Sequence, residues 1–195
     1  MGEVNDIVLK DKTFPRGRLK VDVFEDITKH LDDIKAGRLA SIKPDYTAFC
    51  DPNVVLDQGR EQFLKLIGNL SSDHATKMAV GDGGATIADP FTPIPPSETD
   101  TGLTNKIVSQ DISSIQVLTS GTPEQWLIEY VELFVAADYF GMSLPWIDSN
   151  QKVLNEAAIV TASAELACTL KTFASIPWDP ATNIAARFTW DIYIN

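Results

Sequence analysis

Apolar positions recur along this chain with two different periods, and the changes between them lay out its elements. In residues 21–39, Phe24, Ile27, Leu31 and Ile34 fall three and four apart. That spacing gives a helix one apolar stripe, so a helix is predicted there, ending near Gly37 or at the Lys43-Pro44 step. A second stripe, Phe63, Leu64, Ile67 and Leu70, predicts a helix over residues 57–70. Strands are predicted at 43–49, 76–80, 157–161, 166–173 and 185–194, and over 104–119 with a break around 111–114. In the last strand Phe188, Trp190, Ile192 and Ile194 share one face and Thr189, Asp191 and Tyr193 the other. Residues 125–140 fit both patterns. Leu127, Tyr130, Val131 and Phe134 suit a helical stripe, while their β-branched and aromatic content suits a strand.

Glycine and proline punctuate these runs. Residues 1–20 read as an extended arm or first strand, with apolar Ile7, Val8 and Leu9 ahead of a turn at Phe14-Pro15-Arg16-Gly17. Cys50-Asp51-Pro52-Asn53 reads as a turn. Gly81-Asp82-Gly83-Gly84 is a strong turn signal, and its glycines suit a positive φ. Residues 85–102 form a long loop whose Pro90, Pro93, Pro95 and Pro96 remove backbone donors from any ladder. Most connections are only about 4–6 residues, so a loop this long points to a binding task. Ile7, Val8, Leu9 and Phe14 of the arm, with Pro90, Phe91, Pro93, Pro95 and Pro96 of the loop, are the candidate docking residues. The expected fold class is α+β, mainly antiparallel sheet with two flanking helices. Residues 1–56 are expected to form an N-terminal arm and helix extension, and residues 57–195 the main domain.

Composition narrows the function. The formal net charge is -11 over 195 residues. Such a balance repels phosphate backbones and anionic lipid, so neither nucleic acid nor membrane is an expected partner. No apolar run is long enough to span a bilayer, and the N-terminus has no apolar core of the kind a secretory leader carries. Cys50 and Cys168 read as two small buried apolar side chains, not as a disulfide.

Catalytic and metal signatures are missing. His30 and His74 have no H-x-x-x-H partner, and no C-x-x-C occurs. Gly81-Asp82-Gly83-Gly84 lacks the Gly-Lys-Ser/Thr and following helix that a phosphate loop needs. Asp82 and Asp89 do not make the spaced acidic loop of a calcium site. Asp32-Asp33 and Glu25-Asp26 read as solvated charges. Glu129 and Glu132 would point to opposite faces of a strand and form no dyad there, or share a solvent-exposed face of a helix. The tryptophans Trp126, Trp146, Trp178 and Trp190 read as core or interface anchors, with a sugar-binding stack as the alternative. The chain is therefore expected to have no catalytic residues, no cofactor and no bound metal.

Several segments, taken in order, carry a resemblance. Residues 77–84, Lys-Met-Ala-Val-Gly-Asp-Gly-Gly, precede the proline-rich loop and then Thr101-Gly102-Leu103-Thr104-Asn105-Lys106-Ile107. This is similar to the "MAVGDG" strand-turn, proline loop and "TxLxNEV" strand of phage tail-collar and tail-fibre N-terminal domains, with Lys106 where a glutamate is common. Residues 58–67 look like that family's first helix. Leu154-Asn155-Glu156-Ala157-Ala158 is similar to its "ITEAGLF" segment, residues 166–177 to "MLARxxFPPI", and residues 184–194 to the closing "LTITWTIxF" strand. The likeness spans about residues 57–195. It implies a non-enzymatic structural subunit of a tailed-bacteriophage virion, made in the host cytoplasm and located in the tail, baseplate or neck. Its partners would be other virion proteins, and a homotrimer is the oligomer the family implies. Because the sequence stops where a fibre shaft would follow, an adaptor that attaches fibres or related components is expected. A carbohydrate-binding receptor module of the tail is the alternative.

Overall fold

A computed structural model describes residues 16–86, 88–120, 125–136, 153–179 and 181–194. Nine strands account for most of them. They are β1 Arg16–Phe24, β2 Tyr46–Val55, β3 Ala75–Gly81, β4 Lys106–Asp111, β5 Ser114–Ser120, β6 Gln125–Val135, β7 Val153–Thr161, β8 Ala167–Pro177 and β9 Ala185–Ile194. Two short helices, α1 Leu31–Lys35 and α2 Asp57–Ile67, lie between strands. All pairings are antiparallel, in the order β4-β3-β7-β8-β2-β1-β9-β6-β5. The mainly antiparallel sheet expected from the alternating pattern is present.

The sheet curls because its two edge strands are consecutive in the chain. Beyond the end of β5, residues 110–113 take over the edge of β6. The Gln110 amide donates to the Glu132 carboxylate (2.6 Å) and to the Leu133 carbonyl (3.1 Å), and the Ser113 N–H donates to the other Glu132 oxygen. Side chains on the inner face, such as Leu19, Val21, Met78, Ile159, Phe188 and Trp190, meet in one fully buried core. Each of them removes apolar surface from water at about 25 cal/mol per Å². Two smaller clusters cover the outer face. One joins Leu56, Ala79, Ala158, Val160 and Leu170 near α2. The other joins Phe24, Ile27, Ile42, Leu133 and Ala185.

The structure corrects several expectations. Residues 21–24 are strand, because Leu19, Val21 and Val23 alternate into the core before the apparent helical stripe begins. Of the helix expected over 21–39, only α1 and the 3₁₀ turns Ile27–His30 and Leu39–Ser41 form. The stripe residues Phe24, Ile27 and Ile34 still gather in one cluster, by turns in place of a continuous helix. The turn expected at residues 50–53 is also strand: Cys50, Asp51, Pro52 and Asn53 pair with Lys20, Leu19, Arg18 and Gly17. Pro52 is tolerated because the far edge of β2 meets β8 only at Val54–Leu170 and Val55–Thr169. Arg16 and Gly17, read as part of a turn, open β1. Residues 125–135 resolve as strand.

Helix α2 forms where expected but buries a different face. Leu64, Ile67 and nearby Leu70 are exposed, whereas Gly59 and Gln62 are buried. Gly59 lets the helix lie directly on the backbone of Cys168, where a Cβ would have no room. Residues 16–55, assigned from the sequence to an extension, supply the two central strands β1 and β2.

Candidate functional site

The resembling segments converge on one buried carboxylate. Strand β7 is irregular between Leu154 and Glu156, which turns Glu156 toward the Gly81–Gly84 corner. Glu156 is fully buried. Its Oε1 accepts the backbone N–H groups of Gly83 (3.0 Å) and Asn105 (2.7 Å), and its Oε2 accepts that of Thr104 (2.9 Å). Beside it, Asn155 Oδ1 accepts the Gly84 N–H (2.7 Å) and its amide donates to Ser175 Oγ (3.3 Å). Asp82 takes a hydrogen bond from the Asn105 amide and gives its N–H to the Asn105 carbonyl. One carboxylate and one amide thus satisfy backbone donors from segments some 50 to 70 residues away. A buried donor without a partner costs about 1–3 kcal/mol, so this hub ties the turn, the strand start at 104–105 and β7 into one unit.

The glycines are needed here for a different reason than the one expected. Among the described glycines a positive φ occurs at Gly37 (69°) and at none of Gly81, Gly83 and Gly84. Proximity is what excludes a side chain. A Cβ on Gly83 would lie 2.6 Å from the Asn105 nitrogen and from Thr104 Cβ, and one on Gly84 would overlap the Asn155 carbonyl oxygen. Gly84→Ala is therefore expected to cost about 1–3 kcal/mol through overpacking. Differential scanning calorimetry checks this. A variant that melts with the parent would mean that the Asn155 backbone yields freely.

The loop of Pro90, Phe91, Pro93, Pro95 and Pro96 is bonded along its length to its own domain. The Pro90 carbonyl accepts the Ser175 N–H (3.0 Å), and the Ile94 carbonyl accepts the Thr172 hydroxyl (2.6 Å). The Ile94 N–H reaches the Gly84 carbonyl (2.8 Å), and Ala85 and Pro93 form a bridge. Further on, the Glu98 carbonyl takes the Asp57 N–H at the start of α2, and its carboxylate pairs with Arg60 at 2.9 Å. Asp89 accepts the N–H groups of Phe91 and Thr92, fixing a tight turn. The loop leaves Phe91 76% and Ile94 50% exposed on this rigid support. The arm residues Ile7, Val8, Leu9 and Phe14 lie outside the described residues.

A groove that the sequence did not announce opens where β2 and β8 diverge. It encloses about 410 Å³ and is floored by Phe49 and Phe173, stacked 4.7 Å apart, with Tyr46, Pro93 and Ile176 at its walls. The groove exists because β2 runs straight through Pro52, which the sequence presents as a turn.

Glu129 and Glu132 sit on opposite faces of β6. Burial, with Asp191 adding to it, pushes the Glu129 carboxyl above its ordinary range. Burial also pushes Glu132 up, against the hydrogen bonds from Ser113 and Gln110. The Cys168 thiol is buried as expected and pushed up to about 11 by that burial, whereas Cys50, also read as buried, is exposed; neither is in a disulfide. His30 packs edge-on to Phe24. Asp33 pairs with Arg38, and Lys106 with Glu165. Trp178 and Trp190 are core, Trp126 is 55% exposed, and Trp146 lies outside the described residues. Among the described residues no three His, Cys, Asp or Glu side chains cluster in a way that could hold a metal, and no helix is long and apolar enough to cross a membrane. Comparisons of the chain with protein-family models, curated proteins and solved structures find no match.

Proposed function

We propose that this chain is a structural subunit of a tailed-phage virion, an adaptor that attaches tail fibres or related components to the baseplate, tail or neck without turnover. The observation that supports it is the convergence around Glu156. Three of the segments that resemble the tail-collar pattern lie far apart in sequence, yet Gly83, Gly84, Thr104, Asn105, Asn155 and Glu156 bond directly to one another. A chance likeness of short strings gives no reason for them to share one hydrogen-bonded unit. An attachment role also suits a loop whose prolines and hydrogen bonds hold Phe91 and Ile94 outward, since a pre-ordered loop loses little entropy on docking. The partners are other virion proteins.

The test is particle association. The chain is expected to sediment with intact particles through a density gradient and to appear by mass spectrometry at a fixed stoichiometry. A Phe91→Ser/Ile94→Ser variant is expected to fold normally and to be depleted from particles. A chain abundant in infected lysate but missing from gradient-purified particles would end this reading.

A further inference from the structure

The two edges of the sheet are built differently. Strand β4 opens with Lys106, which is ion-paired to Glu165, and closes with Asp111, so charges flank it. Strand β5 carries no such charge among the described residues. No Asp, Glu, Lys or Arg occurs between Asp111 and Glu124, the longest such interval in the chain. Natural sheets blunt their edges with charges, prolines or bulges, because an unpaired, regular, apolar edge is a template for another strand. Strand β5 pairs with β6 in unbroken register and carries Ile115, Val117 and Leu118 exposed at 44%, 66% and 36%. Trp126, across from Thr119, is exposed at 55%. The row Val117–Ile128–Ile192 continues the inner face of the sheet out to this edge.

We propose that β5 is a self-association edge, and that a second copy of this chain pairs its own β5 antiparallel across a two-fold axis at Val117. In that register Val117 faces its copy, Gln116 faces Leu118 and Ile115 faces Thr119. The row Ile192–Ile128–Val117 then runs on into the same row of the second copy, and both exposed apolar edges are covered.

Charge restricts where a copy of this chain can dock. Two chains of net charge -11 repel over most of their surfaces. Among the described residues, the acid directly behind the middle of this edge is Glu129, one strand in, opposite Gln116. At about 4.8 Å per strand, with the two-residue offset of the register, the two Glu129 carboxylates end roughly 15 Å apart. That exceeds the screening length of about 8 Å at physiological salt, so the seam carries little repulsion. One added strand pair with Trp126 at its rim covers less than the roughly 800 Å² per partner of a standard interface, so the dimer is weak, in the micromolar range.

Sedimentation equilibrium on the full chain tests this. The average mass is expected to rise from 21.4 kDa toward twice that value as concentration increases through about 1–200 µM. Val117→Lys is expected to keep the parent's circular dichroism and melting point and to stay monomeric, weakening the dimer at least about tenfold. Gln116→Lys, at an exposed position, gives the same reading should Val117→Lys fold poorly. In a Cys50→Ser background, Val117→Cys is expected to form an intermolecular disulfide, since directly opposed residues sit about 4.5–5.5 Å apart. Thr119→Cys, displaced by four residues from its own copy, is expected not to. A monomer throughout the range, a trimer, a dimer insensitive to both lysines, or Thr119→Cys cross-linking as fast as Val117→Cys would each overturn the proposal.

Discussion

Glu156→Ala is expected to be the most damaging single substitution in this chain, lowering the melting temperature by about 10 °C or more. The magnitude follows from counting donors. The carboxylate is fully buried and satisfies three backbone N–H groups, those of half-buried Gly83 and of Thr104 and Asn105, whose own side chains face solvent. Each orphaned donor costs about 1–3 kcal/mol, against a whole-domain stability of about 5–15 kcal/mol. For a chain of this size each kcal/mol moves the midpoint by roughly 2–4 °C. Glu156→Gln is expected to cost less than alanine but more than an ordinary isostere. Its oxygen can replace Oε1 for Gly83 and Asn105, but its amide then faces the Thr104 N–H, donor against donor. Thermal melts of both variants give the ranking. A shift below about 3 °C for alanine would show that solvent or a neighbour reaches these N–H groups.

The second large effect is expected at the buried pair of Asp22 and Arg187. Arg187 gives one Nη2 bond to Asp22 (2.6 Å) and two Nη1 bonds to the carbonyls of Leu39 (2.5 Å) and Ile42 (2.9 Å), and its guanidinium lies over the Phe24 ring. It thereby clips the excursion between β1 and β2 onto the outer face of the sheet. Arg187→Met leaves a buried carboxylate held only by Thr47 and Lys20, and leaves the Leu39 and Ile42 carbonyls without that donor. A loss of about 3–5 kcal/mol is expected at neutral pH. Burial pushes the Asp22 carboxyl up, but the hydrogen bonds from Thr47, Arg187 and Lys20 outweigh it and hold it below its usual range. A depressed folded value means that the stabilisation is complete above the unfolded value, about 3.9, and is lost as pH falls through the folded one. The gap between parent and Arg187→Met is therefore expected to be constant from neutral pH down to about 5 and to narrow in stronger acid. Urea melts across that range measure it; a gap that widens in acid would contradict the assignment.

What the sequence let one read, and what it hid, follow from what periodicity measures. It reports which face of an element is apolar, and it did so well for residues 185–194, where Phe188 and Trp190 occupy the core as their alternation required. It misread residues 21–24, because Phe24 and Ile27 happen to stand three apart while belonging to a strand and to a following 3₁₀ turn. In α2 the stripe pointed the wrong way. The face that meets the sheet is the one with Gly59 and Gln62, Gly59 lying on the Cys168 backbone, and glycine does not register as apolar pattern. The proline loop was legible as a loop, but not the bonds from Thr172 and Ser175 that fix it, because such long-range partners leave no local trace. The Glu156 hub did leave one. A polar Asn155-Glu156 step inside the apolar run from Leu154 to Val160 is costly unless both side chains are satisfied, so it marks a buried polar site from sequence alone. Asp22, Glu132 and Arg187 stand in their strands under the same rule.

The placement of β1 between β2 and β9 has a consequence for how this protein is made. Arg18 and Asp191 are bonded across 173 positions of chain, so the central ladder of the sheet joins segments that leave the ribosome far apart in time. At about 5–20 residues per second, β1 waits roughly 10–35 seconds for its neighbour β9 to be translated. During that interval one edge of β1, with Leu19, Val21 and Val23 on the face meant for the core, has no strand to pair with. Non-local pairing of this kind is slow and exposes aggregation-prone edges while it is incomplete. Completion of the sheet is thus governed by the arrival of β9, and a nascent chain stalled before Ala185 leaves one edge of β1 without its partner strand, at the centre of the sheet.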